Sequence, residues 1–347
     1  MIYTLNPLLD PRWQEFLVGH PQASVFHTTG WLRALFETYG YSPIVFTTTP
    51  PSLPLENGIV FAVVKTWLIR TRLVSLPFSD HTEPLVDTPG SFAEILSKLQ
   101  EAKRYGRWKQ IELRPTNAGN PQYDWSPFRD STKFILQKVD LRPNLEVVFS
   151  KFQQDSIRRK IRKAERSNIH EEVGRSERQL QQFFALHTLT RRRKALPPPP
   201  LAWFRNILSC LGNDAKIRVA SKDGKPIAAI LTLRFKETAV YKYGCTDSSF
   251  HNLGAMPYLL WRAMEDEFRS GATEFDLGRS EPENSGLIRF KEKFGAERST
   301  VTYKVYPQVC QSTPGQDWRM VWTKRLFRLL PEKVLVYAGA RIYPHIG

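Results

Sequence analysis

Residues 273–295 hold the side chains best suited to chemistry. The segment reads as a short strand, a polar turn and a helix stopped by Gly295. On a helix, Leu287, Phe290 and Phe294 recur at i, i+3 and i+7, the mark of an inward face. Lys291 falls on that same stripe. A lysine there either snorkels its stem along apolar surface or holds its charge for a ligand. The strand before it ends in Asp276 and Arg279, so a cation, a carboxylate and a second cation are expected to converge at one strand–helix junction.

Other groups invite weighing. The loop 77–84 carries Asp80, His81 and Glu83 between two prolines. It would place a general base or bind an amine, or it is a tight turn whose side chains cap their own backbone. His81 has no histidine or cysteine at metal-ligand spacing, so no metal site is expected. Cys245 follows a strand without a Cys/His signature and reads as a small buried thiol. No phosphate-binding P-loop is present, and no G-x-G-x-x-G opens a helix after a strand. Residues 251–255 precede a helix, where backbone N–H groups would meet an anion or start an ordinary helix. Over 155–168, Ile157, Ile161 and Ala164 mark one helix face, and Arg158, Arg159, Lys160, Arg162, Lys163 and Arg166 cover the rest. That surface suits multidentate phosphate contacts or is a solvated face. It lacks the aromatics of a single-strand nucleic-acid platform.

The elements that must position these groups recur in the two halves. In the first, a helix at 31–39 precedes strands at 44–46, 59–64 and 73–76, the loop 77–84, a helix at 92–105 and a strand at 110–114. In the second, strands at 216–221 and 226–235 form a hairpin around Asp223-Gly224. A strand at 239–243, a polar loop, a helix at 257–269 and a strand at 274–277 follow. The pattern predicts an α/β (α+β) fold of two related domains with mixed sheets flanked by helices. Their boundaries are read as 1–145 and 146–307, with a basic, aromatic tail over 308–347. A cleft between such domains is the natural ligand site. The tail holds Trp318, Trp322, Lys324, Arg325, Phe327 and Arg328, which suit peripheral contact with an acidic membrane or a helix docked on the second domain.

Bulk properties narrow the class. The chain has 347 residues, 50 Lys and Arg against 34 Asp and Glu, and a formal charge of +16. Such charge favours anionic partners. No apolar run approaches the roughly 20 residues that span a bilayer. Residues 1–10 lack a signal-peptide pattern. Cys210, Cys245 and Cys310 form no close pair and read as free thiols in a reducing cytoplasm.

Three motifs carry a family likeness. Phe275-Asp276-Leu277-Gly278, a polar turn, Gly286-Leu287 and Phe290-Lys291-x-x-Phe294-Gly295 form the first. The segment 156–164, Ser-Ile-Arg-Arg-Lys-Ile-Arg-Lys-Ala, forms the second, and Leu76-Pro77-Phe78-Ser79-Asp80 the third. Together, over about residues 20–306, they resemble the FemABX-like branch of the GNAT acyltransferase superfamily. The resemblance implies two GNAT-like domains with mostly antiparallel sheets, and an enzyme that moves an acyl or aminoacyl group from a carrier to an amine or hydroxyl of a cell-envelope precursor, peptidoglycan or exopolysaccharide. It gives Lys291 a catalytic role, which suits a developing oxyanion. Asp80 or Asp276 would orient or deprotonate the acceptor. Arg158, Arg159, Arg279, Arg289, His81, Glu83 and Tyr243 form the expected substrate-binding set. No bound cofactor is expected. The donor would be aminoacyl-tRNA or acyl-CoA, and the anionic partner tRNA, CoA or a nucleotide-sugar or lipid precursor. The chain has no coiled-coil arm between its halves and only part of the pyrophosphate motif of CoA-using GNAT enzymes. The alternative is a catalytically silent GNAT-fold module that binds an anionic glycan or nucleic acid.

Overall fold

The computed structural model describes residues 1–65, 71–106, 108–121, 123–307 and 331–345. The aromatic and basic residues of the tail at 318–328, and Cys310, lie outside the described residues. The described chain divides into two compact units. Unit 1 takes residues 1–134, 300–307 and 341–345, and unit 2 takes 135–299 and 331–340.

Unit 1 opens with β1 (Tyr3–Leu5), α1 (Pro11–Gly19) and α2 (Thr29–Tyr39). Asp10 and Thr28 start the helices by accepting the N–H groups of Arg12 and Trp31, which meets otherwise orphaned donors. Then come β2 (Ser42–Thr47), β3 (Ile59–Val64), β4 (Arg72–Val74), α3 (Pro89–Arg104) and β5 (Gln110–Leu113). Strands β1 to β4 are antiparallel in order, and β4 runs parallel to β5. A parallel pair needs a crossover, which α3 supplies. Phe92, Ile95, Leu96 and Leu99 recur at helical spacing along α3 and pack on Phe46, Phe61, Leu73 and Ile111.

The strand β6 (Arg129–Asp140) leads into unit 2. There follow α4 (Leu145–Ser150), α5 (Arg159–Arg166), β7 (His170–Gly174), α6 (Glu177–Arg193) and α7 (Leu201–Leu211). The chain continues through β8 (Ala215–Lys222), β9 (Lys225–Phe235), β10 (Thr238–Thr246), α8 (Ala255–Arg269), β11 (Glu274–Ser280) and α9 (Ser285–Glu292). The strand order is β6-β11-β10-β9-β8-β7. Strands β10 and β11 run parallel, while β6–β11, β9–β10, β8–β9 and β7–β8 are antiparallel. Ile157 just before α5 and Ile161 within it, with Leu259, Leu260 and Met264 of α8, pack on Ala228, Ile230, Ala239 and Phe275 of the strands. The expected inward face of the basic helix is correct: Ile157, Ile161 and Ala164 are buried.

A last strand, β12 (Glu297–Tyr306), returns the chain to unit 1 and pairs antiparallel with β5. Each unit is therefore a mixed sheet with helices, as the sequence pattern predicts, and mostly antiparallel, as the family resemblance implies. The helix α10 (Glu332–Ile342) buries Leu335, and a Cβ at Gly339 would sit 2.0 Å from the Pro198 carbonyl. This stretch of the tail is docked on the proline connector. Among the described residues no helix is long and apolar enough to cross a membrane.

Candidate active site

The geometry around Lys291 follows from an irregularity in β11. Glu274 to Asp276 pair with Asp140 to Lys138, and pairing resumes at Arg279 with Leu136. Leu277 and Gly278 thus oppose Gln137 alone, which makes a bulge. Gly278 takes a left-handed φ of 73°, open to glycine at no steric cost. Three side chains fix the bulge. The Asp276 carboxylate accepts the Gly278 N–H at 2.6 Å. Gln137 donates to the Ile288 carbonyl of α9 at 2.9 Å. The Lys291 ammonium donates to the Gly278 carbonyl at 2.7 Å, the Arg279 carbonyl at 3.2 Å and Ser280 Oγ at 2.9 Å.

An ammonium has three donors, and these three oxygens match them. Lys291 is only 3% exposed, so its charge sits in a nearly dry setting. Of the expected stripe, Lys291 and Phe294 are buried, together with Ile288, while Leu287 and Phe290 are half-buried. At the start of the helix, Asn284 Oδ1 accepts the Leu287 N–H at 3.2 Å. Asp276 is wholly buried. Opposite it stands Lys138, whose ammonium reaches Glu274 at 2.8 Å. Burial would lower the Lys138 pKa, but Asp276 and Glu274 more than offset this and hold it above the usual lysine value. Lys291, Asp276 and the backbone of Arg279 therefore do converge at one junction. The Arg279 side chain is half-buried, and Arg289 is exposed on α9.

Beside the bulge, β10 and β11 pair through only three residues, Thr238–Val240 with Glu274–Asp276. Strand β10 is irregular too, with register slipping at Lys242 against β9. The Tyr241 hydroxyl lies over Gly244, where a Cβ would approach it to 1.8 Å, so only glycine fits. Tyr243 is half-buried, and its hydroxyl accepts from Trp203 Nε1 at 2.9 Å. Beyond β10, Asp247 caps the Ser249 N–H at 3.0 Å, and Gly254, with φ 77°, starts α8 without any side-chain cap.

A pocket of about 270 Å³ opens at this helix start, lined among others by Lys160, Thr246, His251, Gly254, Met256 and Phe290. Arg192 and Arg193 border a neighbouring depression that shares Thr246 and Asp247. Uncapped N–H groups and a helix dipole favour an anion here. The cations agree: burial first, then Arg193 and Lys160, lower the His251 pKa. His251 Nε2 lies 2.8 Å from Thr246 Oγ1. Of the basic helix, the residue that lines the pocket is Lys160. Arg158 is half-buried with its guanidinium 3.3 Å from Gln154 Oε1, and Arg159 is exposed. Lys160, Thr246 and the Arg192–Arg193 pair were outside the expected binding set. The signal that points to Lys160 is Gly254, since a Cβ there would come within 2.5 Å of the Lys160 carbonyl.

Cys245 is the inert thiol its sequence suggests. Its sulfur lies 3.4 Å from the Ala229 carbonyl, and burial pushes its pKa up.

Asp80, His81 and Glu83 belong to unit 1 and are buried, at 8, 8 and 5% exposure. The Tyr303 hydroxyl donates to the Asp80 carbonyl at 3.0 Å. His81 packs edge-on against Phe26 at 5.5 Å. Glu83 Oε2 accepts the Thr116 N–H at 2.6 Å and also the Thr116 hydroxyl, while Oε1 is buried without a hydrogen-bond partner. The Glu83 carbonyl accepts from His27 Nε2 at 2.9 Å. Nδ1 of His27 accepts the Ser24 N–H at 3.0 Å, so the proton sits on Nε2. Burial holds the His27 pKa down to about 4.

Residues 151–292, all within unit 2, match the family model described as an acetyltransferase (GNAT) domain. Solved structures with the same fold include FemX, at 13% identity and a TM-score of 0.69, covering 87% of this chain and 96% of that one. A DUF2156 domain from Agrobacterium fabrum, described as the C-terminal part of a lysylphosphatidylglycerol synthetase, follows at 16% identity and 0.56, covering 87% and 92%. A tandem GNAT protein from the clavulanic acid biosynthesis pathway matches at 10% identity and 0.56, covering 88% and 97%. No match was found among curated proteins. The fold is a FemABX-like tandem GNAT fold.

Proposed function

We propose that this protein is an acyltransferase, taking an acyl or aminoacyl group from a carrier, aminoacyl-tRNA or acyl-CoA, to an amine or hydroxyl of a peptidoglycan or exopolysaccharide precursor. The observation that carries this reading is the short β10–β11 pairing beside the uncapped start of α8 with Lys160 at its rim. A carrier of either class brings phosphates, which suit that helix start. The GNAT domain match over the same unit supports transfer chemistry. The lysylphosphatidylglycerol synthetase name among the fold neighbours keeps an aminoacyl donor and a lipid-linked acceptor in view.

The acceptor nitrogen or oxygen attacks the carbonyl carbon of the donor ester or thioester and gives up its proton to the acceptor base. A tetrahedral oxyanion forms, then collapses, and the carrier leaves as its hydroxyl or thiol. Direct attack needs no covalent enzyme intermediate, and the buried Cys245 offers none. Lys291 is the proposed stabilising charge. Its donors are already engaged by β11, so it acts through its field and by holding the bulged strand in place. Asp80 is the proposed acceptor base. Asp276, wholly buried and engaged with the Gly278 amide, is better suited to fixing the bulge. His81 and Glu83 complete the proposed acceptor contacts, and Arg158, Arg159, Arg279, Arg289 and Tyr243 the proposed donor contacts. The proposed setting is the cytoplasm, with peripheral contact at the inner face of the membrane as part of the same proposal.

The test is carrier release. Acetyl-CoA and charged tRNA are each incubated with the protein, with and without a muramyl pentapeptide, and free thiol or deacylated tRNA is measured. Acceptor-dependent release of one carrier is the expected result. Release of neither, together with salt-sensitive binding of an anionic glycan or RNA, favours the silent module.

A further inference from the structure

The loop that bears Asp80 is held in an unusual backbone path. Leu76 and Phe78 have φ values of 58° and 63°. Side chains other than glycine reach that region only when their surroundings over-determine it. For Leu76 the cause is plain. It is fully buried, and its carbonyl accepts from Arg114 Nη1 at 2.9 Å and Ser79 Oγ at 2.7 Å. Farther along, the Ser79 N–H bonds to the Leu76 carbonyl at 3.2 Å and the Thr82 N–H to the Arg114 carbonyl at 2.7 Å.

Phe78 is held by rings. Its centroid lies 5.0 Å from Tyr39, 6.5 Å from Tyr41 and 5.7 Å from Tyr343. Tyr39 and Tyr41 flank Gly40 at the end of α2 and move with it. Tyr343 arrives from the turn after α10 and is 7% exposed. The Tyr41 hydroxyl donates to the Tyr343 carbonyl at 3.3 Å, which ties that turn to the same corner.

We infer that the turn around Tyr343 is a strut for the Asp80 loop, with Tyr343 a positioning residue that acts through Phe78. Removing its ring opens one wall around Phe78 and frees the residue to leave its left-handed conformation. Asp80 lies two positions on. Its role toward the acceptor rests on the function proposed above, whereas the strut itself does not.

The test uses the full chain with Tyr343→Ala and Tyr343→Phe, read by amide hydrogen exchange. Tyr343→Ala is expected to speed exchange at Ser79 and Thr82 by about tenfold or more, with β3 unchanged, because local openings report local stability. Tyr343→Phe keeps the ring and is expected to exchange like the parent. Unchanged exchange at Ser79 and Thr82 in Tyr343→Ala overturns the strut, as does equal acceleration across all of unit 1. In the carrier-release assay, Tyr343→Ala is expected to raise the KM for muramyl pentapeptide and leave that for the carrier alone. A loosened loop with unaltered acceptor KM supports the strut and removes the Asp80 loop from acceptor binding.

Discussion

The helix that links the two parallel strands begins differently in the two units. In unit 1, α3 starts behind Thr88, whose side chain accepts the Ser91 N–H, and has Pro89 in its first turn. In unit 2, α8 starts from Gly254 with no side-chain cap and a pocket at its end. The parallel strands contrast in the same way. Beyond β4 and β5, the chain fills its own opening: Thr82 bridges to Arg114, and the Arg114 guanidinium takes the carbonyls of Leu76 and Ser79. Beyond the three paired residues of β10 and β11, the irregularities belong to Lys291 and Tyr241 instead. One topology used twice has one copy whose helix start is capped by its own side chain and one whose helix start opens on a pocket. The proposed donor site is the second.

The largest expected effect tests that assignment. Lys291→Met keeps length and removes charge, and turnover in the carrier-release assay should fall by about 10²–10³, the scale of losing a developing-charge stabiliser. Full turnover in a folded Lys291→Met protein breaks the assignment. Arg114→Met, its counterpart in unit 1, should lower stability and leave carrier binding intact.

Two buried histidines, His27 in unit 1 and His187 in unit 2, have opposite surroundings. His27 has partners for both nitrogens, whereas both nitrogens of His187 are buried without a partner. Burial lowers their pKa values to about 4 and about 3, with Arg191 and Lys194 adding to the effect at His187. The folded state therefore refuses protons that the unfolded chain accepts. Stability is complete above pH 6.5 and falls as pH drops from there toward 4, by on the order of 3 kcal/mol for His27. Urea titrations across that range measure it. His187→Phe should flatten the acid limb without loss at pH 7. His27→Phe should cost stability at pH 7, because the Glu83 carbonyl and the Ser24 amide lose their partners.

Two smaller contrasts sharpen the helix starts. Gly254→Ala combines a left-handed φ with a Cβ 2.5 Å from the Lys160 carbonyl. It should lower unfolding free energy by about 2–3 kcal/mol, read from denaturation midpoints. Gly90→Ala in α3, where nothing lies within 4 Å, should shift it by about 0.5 kcal/mol or less. Thr88→Ala should cost about 1 kcal/mol and leave carrier binding alone. An equal effect of Thr88→Ala on carrier binding would mean that α3 also serves the donor.

Where local chemistry sets structure, the sequence was readable. The β8–β9 hairpin turns on Asp223-Gly224, both with positive φ, as the dipeptide announces. The buried stripe of the basic helix follows from three apolar residues. By contrast, β6 begins Arg-Asp-Ser-Thr, β7 reads His-Glu-Glu-Val-Gly and β12 begins Glu-Arg-Ser-Thr. Their opening residues are mostly exposed and carry little hydrophobic alternation, so only long-range pairing defines them. At the site, the inward placement of Lys291 was legible from helical spacing, but its three oxygen partners depend on a bulge that no periodicity encodes. The shift from Arg158 and Arg159 to Lys160 has a similar cause. The helix is preceded by a wide turn in which the Arg158 N–H bonds to the Gln153 carbonyl, and Lys160 meets the pocket because its backbone lies against Gly254.

The pairing of β5 with β12 imposes a timetable on synthesis. Residues 110–113 leave the ribosome long before their neighbour at 304–306 exists. Unit 2 is drawn almost wholly from one uninterrupted stretch between those dates. The half of the protein made first is therefore the half completed last, and its exposed β5 margin must stay unpaired until translation is nearly over.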